Sequence, residues 1–337
     1  MKNYKLIPLL AVAAFMTACN TNGASAKAPS FAKQGKEIAF EEFAEILSDK
    51  DLLGAWTDPE NNHLPSAIVK ASSSYSVESK ITSGKKVVRS DKELSKTSYD
   101  MKLDLENLRI AVSVDDSTTN ESQHEEHFSS YTSSNKMSAV EQISTLPVGN
   151  EGTETGDFLV EVNLTSKQYR VEDNVTDLSA QERKAMFEED AYMIVSHLAI
   201  PSQFASFVSS YESMPLEERE CFSFYQNGKI LTMTYQSEYS TALVDSNNQV
   251  QKLTRVTYDQ KFQLDYSKGE SFKYKQSLVT TYSSDYLQDF IEDSVARYLG
   301  DTAEKVEAEY TESEVKAQKV IVDAINIDDF EEFSSLI

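Results

Sequence analysis

The chain has 337 residues, with 32 Lys+Arg against 55 Asp+Glu and a formal charge of −23. That balance excludes nucleic acid as a partner, which needs a basic surface, and opposes electrostatic adhesion to anionic lipid headgroups. Two Cys allow at most one disulfide, so the fold must rest on an apolar core, and the length suffices for one large domain or two smaller ones.

Lys2 and Lys5 precede an apolar run from Leu6 to Phe15, then Met16-Thr17-Ala18 and Cys19. A positive start, about ten apolar residues and a small residue before the cut make an export signal, not a membrane span. With Cys at the next position, the arrangement resembles a bacterial lipoprotein signal, with Met16 standing where that family prefers Leu. The resemblance implies cleavage before Cys19, a diacylglycerol on its sulfur with palmitate-type acylation, and attachment to the cell envelope by lipid. An ordinary secretory signal cut nearby is the alternative. Two or three acyl chains anchor stably where one does not, because each buried methylene contributes roughly 0.8 kcal/mol. Loss of residues 1–18 removes Lys2 and Lys5, leaving 30 basic residues against 55 acidic ones, a charge of −25. The lipid must then hold the protein to the membrane, and acylation of Cys19 leaves Cys221 without a disulfide partner. Asn20 would resemble the outer-membrane class in a two-membrane envelope; in a one-membrane envelope the protein would face outward. After residue 18 no stretch approaches the roughly 20 apolar residues of a spanning helix.

Small and polar residues make 19–35 a flexible tether with an r.m.s. span of roughly 20 Å. A first unit, 36–178, opens with a helix over 37–53, where Ile38, Phe40, Phe43, Ile46 and Leu47 recur at helical spacing. A turn with Pro59, Asn61, Asn62 and Pro65 follows. Tyr75, Val77 and Ile81, then Tyr99, Met101, Leu103 and Leu105, then Val160, Val162 and Leu164 alternate with polar residues. Period two with one polar face predicts half-buried antiparallel strands. Between them, 115–135 reads as a solvated strand pair or a loop.

A second unit, 179–300, starts with a helix capped by Ser179 with Glu182 three residues on. Its apolar face runs through Phe187, Tyr192, Val195 and Leu198 to a break at Pro201, and a short helix follows from Ser202 to about Tyr211. Asn227-Gly228 between two alternating runs predicts a tight hairpin, and Ser246-Asn247-Asn248 a second turn. Val256, Tyr258, Phe262, Leu264 and Tyr266 share one face of a long strand. Phe272, Tyr274, Leu278, Thr280 and Tyr282 share the matching face of its return strand. Strands of about 12 residues exceed the usual five or six and should curl strongly. Ser284-Asp285 caps a helix carrying Leu287, Phe290, Ile291, Val295 and Tyr298, stopped at Gly300. The tail, 301–337, reads as mostly helical, with helix over 302–310 and helix or strand over 314–326.

Two echoes, Tyr99-Asp100-Met101-Lys102 with Tyr258-Asp259-Gln260-Lys261 and Phe40-Glu41-Glu42-Phe43 with Phe330-Glu331-Glu332-Phe333, raise a duplicated helix-plus-sheet unit against chance. His124-Glu125-Glu126-His127 lacks the four-residue spacing that puts two imidazoles on one helix face, and in a strand residues three apart point oppositely. It reads as a solvated stretch, and no metal or cofactor is expected. His63 and His197 have no sequence-level partner. Cys221 opens an apolar strand, where Cys acts as a small hydrophobe. Asp328, Asp329, Glu331 and Glu332 lack the glycine of a calcium loop. No catalytic signature emerges, and the chain is expected not to be an enzyme.

Seventeen Tyr and sixteen Phe against one Trp are the surplus to explain. Core packing accounts for them, or a curved sheet leaves a cavity lined by Tyr258, Phe262, Tyr266, Phe272 and Tyr274 that takes a lipid or other hydrophobic ligand. The lipoprotein-like start, the leading amphipathic helix and the long antiparallel strands together are similar to the LolA/LppX-like group of bacterial envelope lipoproteins. The resemblance implies an α+β fold, a long curved half-barrel-like antiparallel sheet with helices on one face. It also implies a non-enzymatic carrier binding lipid inside that sheet. The alternative is a surface lipoprotein with a filled core that contacts a protein or glycan partner.

Overall fold

The computed structural model describes residues 28–48, 65–83, 86–124, 127–148, 154–244, 246–248, 250–268, 271–286 and 302–333. In chain order these form β1 (Lys36–Ile38), α1 (Phe40–Ser48), β2 (Ala67–Ser83), β3 (Lys86–Asp104), β4 (Arg109–His124), β5 (His127–Val148), β6 (Glu154–Asn163) and β7 (Gln168–Asn174). Four helices follow, α2 (Ala180–Asp190), α3 (Tyr192–Leu198), α4 (Ile200–Ser213) and α5 (Leu216–Arg219). Then come β8 (Phe222–Asn227), β9 (Ile230–Val244), β10 (Val250–Lys268), β11 (Ser271–Tyr286), β12 (Thr302–Ala317), a 3-10 turn at Ile327–Asp329 and β13 (Glu331–Glu332).

Among the described residues the strands form one open, curved 13-stranded sheet in the order β1-β8-β9-β10-β11-β12-β2-β3-β4-β5-β6-β7-β13. All neighbours are antiparallel except β13 on β7. The sequence units 36–178 and 179–300 share this sheet, because β12 slots between β11 and β2. The duplication is not supported. Phe40-Glu41-Glu42-Phe43 is helical, while Phe330 to Phe333 is a turn and a short strand.

Each long strand has two tiers. The lower tier is packed on both faces. On the concave face Leu231, Met233, Phe262, Leu264, Phe272, Tyr274, Val315, Val69, Met101, Leu103 and Ile110 meet Phe187, Ile194, Phe204 and Phe207 of the helices in one buried core. On the convex face both chain ends cross the sheet as straps. Ala32 exchanges hydrogen bonds with the Gln263 amide, Lys275 Nζ donates to Ser30 O at 2.7 Å, and Lys261 lies over the Phe31 ring. So 28–35, read as part of a free tether, is docked, and 19–27 lies outside the described residues. Residues 318–326 form the second strap. Val322 N–H donates to Asp104 Oδ2 at 2.9 Å, Arg109 Nη1 donates to Val322 O, and Gln142 bonds both N–H and O of Ile325. Val320 and Val322 close a small second core with Val140.

Several local readings shift. The leading helix is shorter, since β1 takes Ile38 into the sheet opposite Phe224, and 49–53 lies outside the described residues. Gly35, at φ +87°, starts this approach; a Cβ there would stand 2.2 Å from Gln226 O. The Ser179–Glu182 capping box is present, Ser179 N–H donating to Glu182 Oε2 at 2.8 Å. The helical stretch breaks at Ala191 as well as before Pro201, which sits in the first turn of α4 rather than ending a helix. The β8–β9 turn is Gly228-Lys229, one residue later than read: Asn227 pairs with Ile230, and only Gly228 has positive φ, as a type II′ turn needs.

The stretch 115–135 is the solvated strand pair of β4 and β5. Ser284 and Asp285 belong to β11 rather than capping a helix, and Leu287 to Gly300 lies outside the described residues. The largest correction is in the tail: 302–310, read as helix, is strand, and the strand runs on through 317, where helix or strand was expected from 314. Its Ala, Glu and Lys favour helix locally, but pairing with β11 on one side and β2 on the other outweighs a preference of tenths of a kcal/mol per residue.

Candidate functional site

Above the helices the concave face continues without cover from any described element. Residues directly opposite in neighbouring strands point to the same face, so the register gives this face row by row. The first row above the core is hydroxyl- and amide-rich: Gln276, Thr311, Ser73, Thr97 and Asp116. Next come Tyr235, Gln260, Leu278, Glu309 and Tyr75. The row beyond has Tyr258, Thr280, Glu307, Val77 and Glu93, and the last has Tyr239, Val256, Tyr282 and Lys305.

Five tyrosines and three glutamates thus converge on one half-buried face. Tyr239 and Tyr258 stack with centroids 6.0 Å apart. Tyr282 Oη donates to Glu307 Oε2 at 3.5 Å, and Lys305 pairs with Glu307 beneath the Tyr282 ring. Burial, then the charges of Glu307, Glu93 and Glu309, push the Tyr75 phenol up to about 12. Burial, then its hydrogen bond to Tyr239, raises Tyr258, and burial raises the Glu309 carboxyl. The raised phenols of Tyr75, Tyr258 and Tyr282 stay protonated at physiological pH, and the face offers hydroxyl donors, carboxyl acceptors and aromatic surfaces.

The five sequence-proposed ligand residues separate. Phe262, Tyr266, Phe272 and Tyr274 are buried in the lower core. Phe204 of α4 meets Tyr274 edge-on at 6.1 Å, and Tyr274 Oη donates to Gln276 Oε1 at 2.8 Å. Tyr258 alone belongs to the open face. Two clefts, of about 420 and 390 Å³, lie elsewhere, lined by Ser72, Ser98, Asp115 and Glu312 of β2, β3, β4 and β12. Tyr75, Tyr235, Tyr239, Tyr282, Glu93, Glu307 and Glu309 were missed as a site. The available signal was their shared strand parity, but β12 read as helix hid its glutamates.

The remaining candidates have structural settings. His124 and His127 are opposite one another at the β4–β5 tip, and so on one face, not on opposite faces as a single strand would place them. Among the described residues no three His, Cys, Asp or Glu side chains gather as a metal site. His197 shares a hydrogen bond with Ser313 Oγ at 3.0 Å, and burial lowers its pKa to about 4. Cys221 is half-buried, with its thiol pushed up by burial and then Glu218 and Glu220. His63 and Cys19 lie outside the described residues.

One half-buried acid stands apart. Glu141, opposite Glu161 on the concave face, has an oxygen without a hydrogen-bond partner. Burial, then the charges of Asp190 in α2, Glu161 and Glu172, push it from 4.5 up to about 7. A raised acid favours its protonated form in the folded state. The stability it contributes is full below about pH 4.5 and is lost as pH rises through about 7. Glu141→Gln should therefore raise the melting temperature at pH 8, through a stability gain of at most about 3.5 kcal/mol at roughly 1.4 kcal/mol per unit, and flatten the profile between pH 5 and 8. Thermal melts across that range check it; an unchanged profile contradicts this role for Glu141.

No protein-family model matches the chain, and no curated protein matches it. Among solved structures, a FadL homologue of Pseudomonas aeruginosa is 9% identical, covering 75% of this chain and 90% of its own, at a TM-score of 0.17. The InvG secretin domain β-barrel of the Salmonella injectisome is 6% identical, covering 77% and 64%, at 0.13. The Vibrio cholerae competence pilus secretin PilQ is 7% identical, covering 76% and 61%, at 0.11. The chain thus spans less than two thirds of either secretin. Likeness at these TM-scores carries nothing about function to this chain.

Proposed function

We propose that this protein is a non-enzymatic envelope lipoprotein, anchored through Cys19, whose half-barrel-like sheet presents the tyrosine and carboxylate face to a glycan. The observation that carries this reading is the division of the concave face: side chains of the described helices fill its lower half, while its upper half meets no described element and is lined by Tyr75, Tyr235, Tyr239, Tyr258 and Tyr282 with Glu93, Glu307 and Glu309. Aromatic faces stack on sugar rings, and phenols and carboxylates hydrogen-bond to sugar hydroxyls. Three glutamates against one Lys305 favour a neutral or amino-bearing glycan over an acidic one.

The lipid-carrier alternative has less support, because four of its five expected lining residues are core. The anchor fits the geometry. About nine residues separate Cys19 from the docked strap, a reach of at most about 30 Å. The convex side would then face the membrane and the tyrosine face would point away from it.

Calorimetric titration of the full-length chain with neutral, amino-bearing and acidic oligosaccharides tests the reading. Binding to the first two and loss in Tyr239→Ala/Tyr258→Ala are expected. Absence of binding, or binding that the double variant leaves unchanged, overturns it.

A further inference from the structure

The upper half of the β4–β5 pair buries no apolar side chain. Every residue of β4 from Asp115 to Gln123 is polar. Among their partners on β5, Phe128 to Lys136, the two aromatic residues, Phe128 and Tyr131, are 61% and 65% exposed. The Lys136–Asp115 ion pair and a Thr119–Thr132 hydrogen bond of 3.2 Å tie side chains across it. A strand pair normally takes its register from the face it buries, and a slip of one residue turns its side chains to the other face. Here apolar burial does little to specify the register.

At the free end of this pair stand two of the chain's four histidines. His124 closes β4 and His127 opens β5, and the two are directly opposite. A spacing of three along a single strand would separate them. The chain reverses between them instead, so both exposed imidazoles share one face of the pair. Residues opposite in an antiparallel pair hold their Cβ atoms about 4.5–5.5 Å apart. That separation lets two imidazole nitrogens converge on one cation at about 2.0–2.1 Å each. Arg89 is opposite His124 on its other side, but its guanidinium pairs with Asp91, which also accepts from Ser122 Oγ. The local cationic charge is thereby offset, and the chain's net charge of −23 draws cations.

We propose that His124 and His127 together bind one transition-metal cation of the zinc, nickel or copper class, which clips the tip of the β4–β5 hairpin in register. Imidazole suits those ions, whereas calcium and magnesium require sets of oxygen ligands. Among the described residues no third His, Cys, Asp or Glu joins the pair. Water completes the coordination, and the site is weaker than a closed four-ligand zinc site on which folding depends. A cation held by both imidazoles fits the native register alone, because a one-residue slip carries one of them to the opposite face. It stabilises that register by mass action and is not needed for the sheet to form.

Calorimetric titration of the chelator-treated full-length chain in detergent, with zinc chloride and with nickel chloride, tests this. One cation should bind per chain, and His124→Ala and His127→Ala should each weaken it by roughly tenfold or more. Both positions are exposed, so without metal the variants should melt with wild type. Zinc should slow amide exchange over 115–123 and 128–136 in wild type, in neither variant, and should leave 250–268 unchanged. Cys221→Ser and His63→Ala should bind as wild type does. Absence of saturable binding overturns the proposal. So does binding that both variants at His124 and His127 retain, or that Cys221→Ser or His63→Ala abolishes. Binding through the pair that leaves exchange in β4 and β5 unchanged overturns the clip.

Discussion

Phe204→Ala is expected to cost about 3–5 kcal/mol, the range for a fully buried Phe whose site cannot collapse. Phe204 is fully buried in α4, beneath the sheet and edge-on to Tyr274. The β-strands around it are held by pairing on both sides and cannot move into the space. At roughly 2–4 °C per kcal/mol for a chain of this size, the melting temperature should fall by about 10 °C. Phe204→Leu, which keeps most of the volume, should lose less than half of that. A Phe204→Ala protein melting within a degree or two of wild type would mean that the lower core is not filled as described.

Asp104→Ala is expected to release the C-terminal strap. The buried Asp104 carboxylate accepts from Val322 N–H and from both the backbone and side-chain N–H of Asn107. Bonds to a charged group contribute about 1.5–3 kcal/mol each, and truncation leaves the Val322 donor buried without an acceptor. A loss of about 3 kcal/mol should appear. Amide exchange should accelerate over 318–326 and stay unchanged in α4. Burial pushes this carboxyl up, but the bonds from Val322 and Asn107, with the Arg109 charge, outweigh it and hold it below the usual range. A depressed acid stabilises the fold above its unfolded pKa of about 3.9 and loses that contribution as pH falls through its folded value. The variant should therefore lack part of the wild-type sensitivity to acid. Uniform exchange changes, or unchanged exchange in the strap, would contradict the assignment.

The β10–β11 ladder was legible in the sequence because period-two patterns report strand faces directly. Phe262, Leu264 and Tyr266 are indeed in one buried core with Phe272 and Tyr274, and Val256 continues the same strand face above them. The capping box at Ser179 was legible for a similar local reason. β12 was not, because its concave side carries Lys305, Glu307, Glu309, Thr311 and Ser313 before reaching Val315, and its composition favours helix. The tyrosine face depends on that strand. It brings Glu307 and Glu309 between Thr280 and Leu278 on one side and Val77 and Tyr75 on the other, from segments more than 190 residues apart. No local pattern encodes such a register. The straps were hidden likewise: Val320 and Val322 alternate as a strand would, but their partners Asp104, Arg109 and Gln142 are known only once the sheet is assembled.

The filled lower core is what separates a recognition surface from a lipid carrier. Native mass spectrometry of the full-length chain, purified from its host membrane and then offered fatty acid and phospholipid, tests it most directly. The expected spectrum contains the chain with its covalent acyl anchor and no retained lipid. A further lipid held at one per chain, and displaced when Phe262 or Tyr274 is replaced by Trp, would contradict the account.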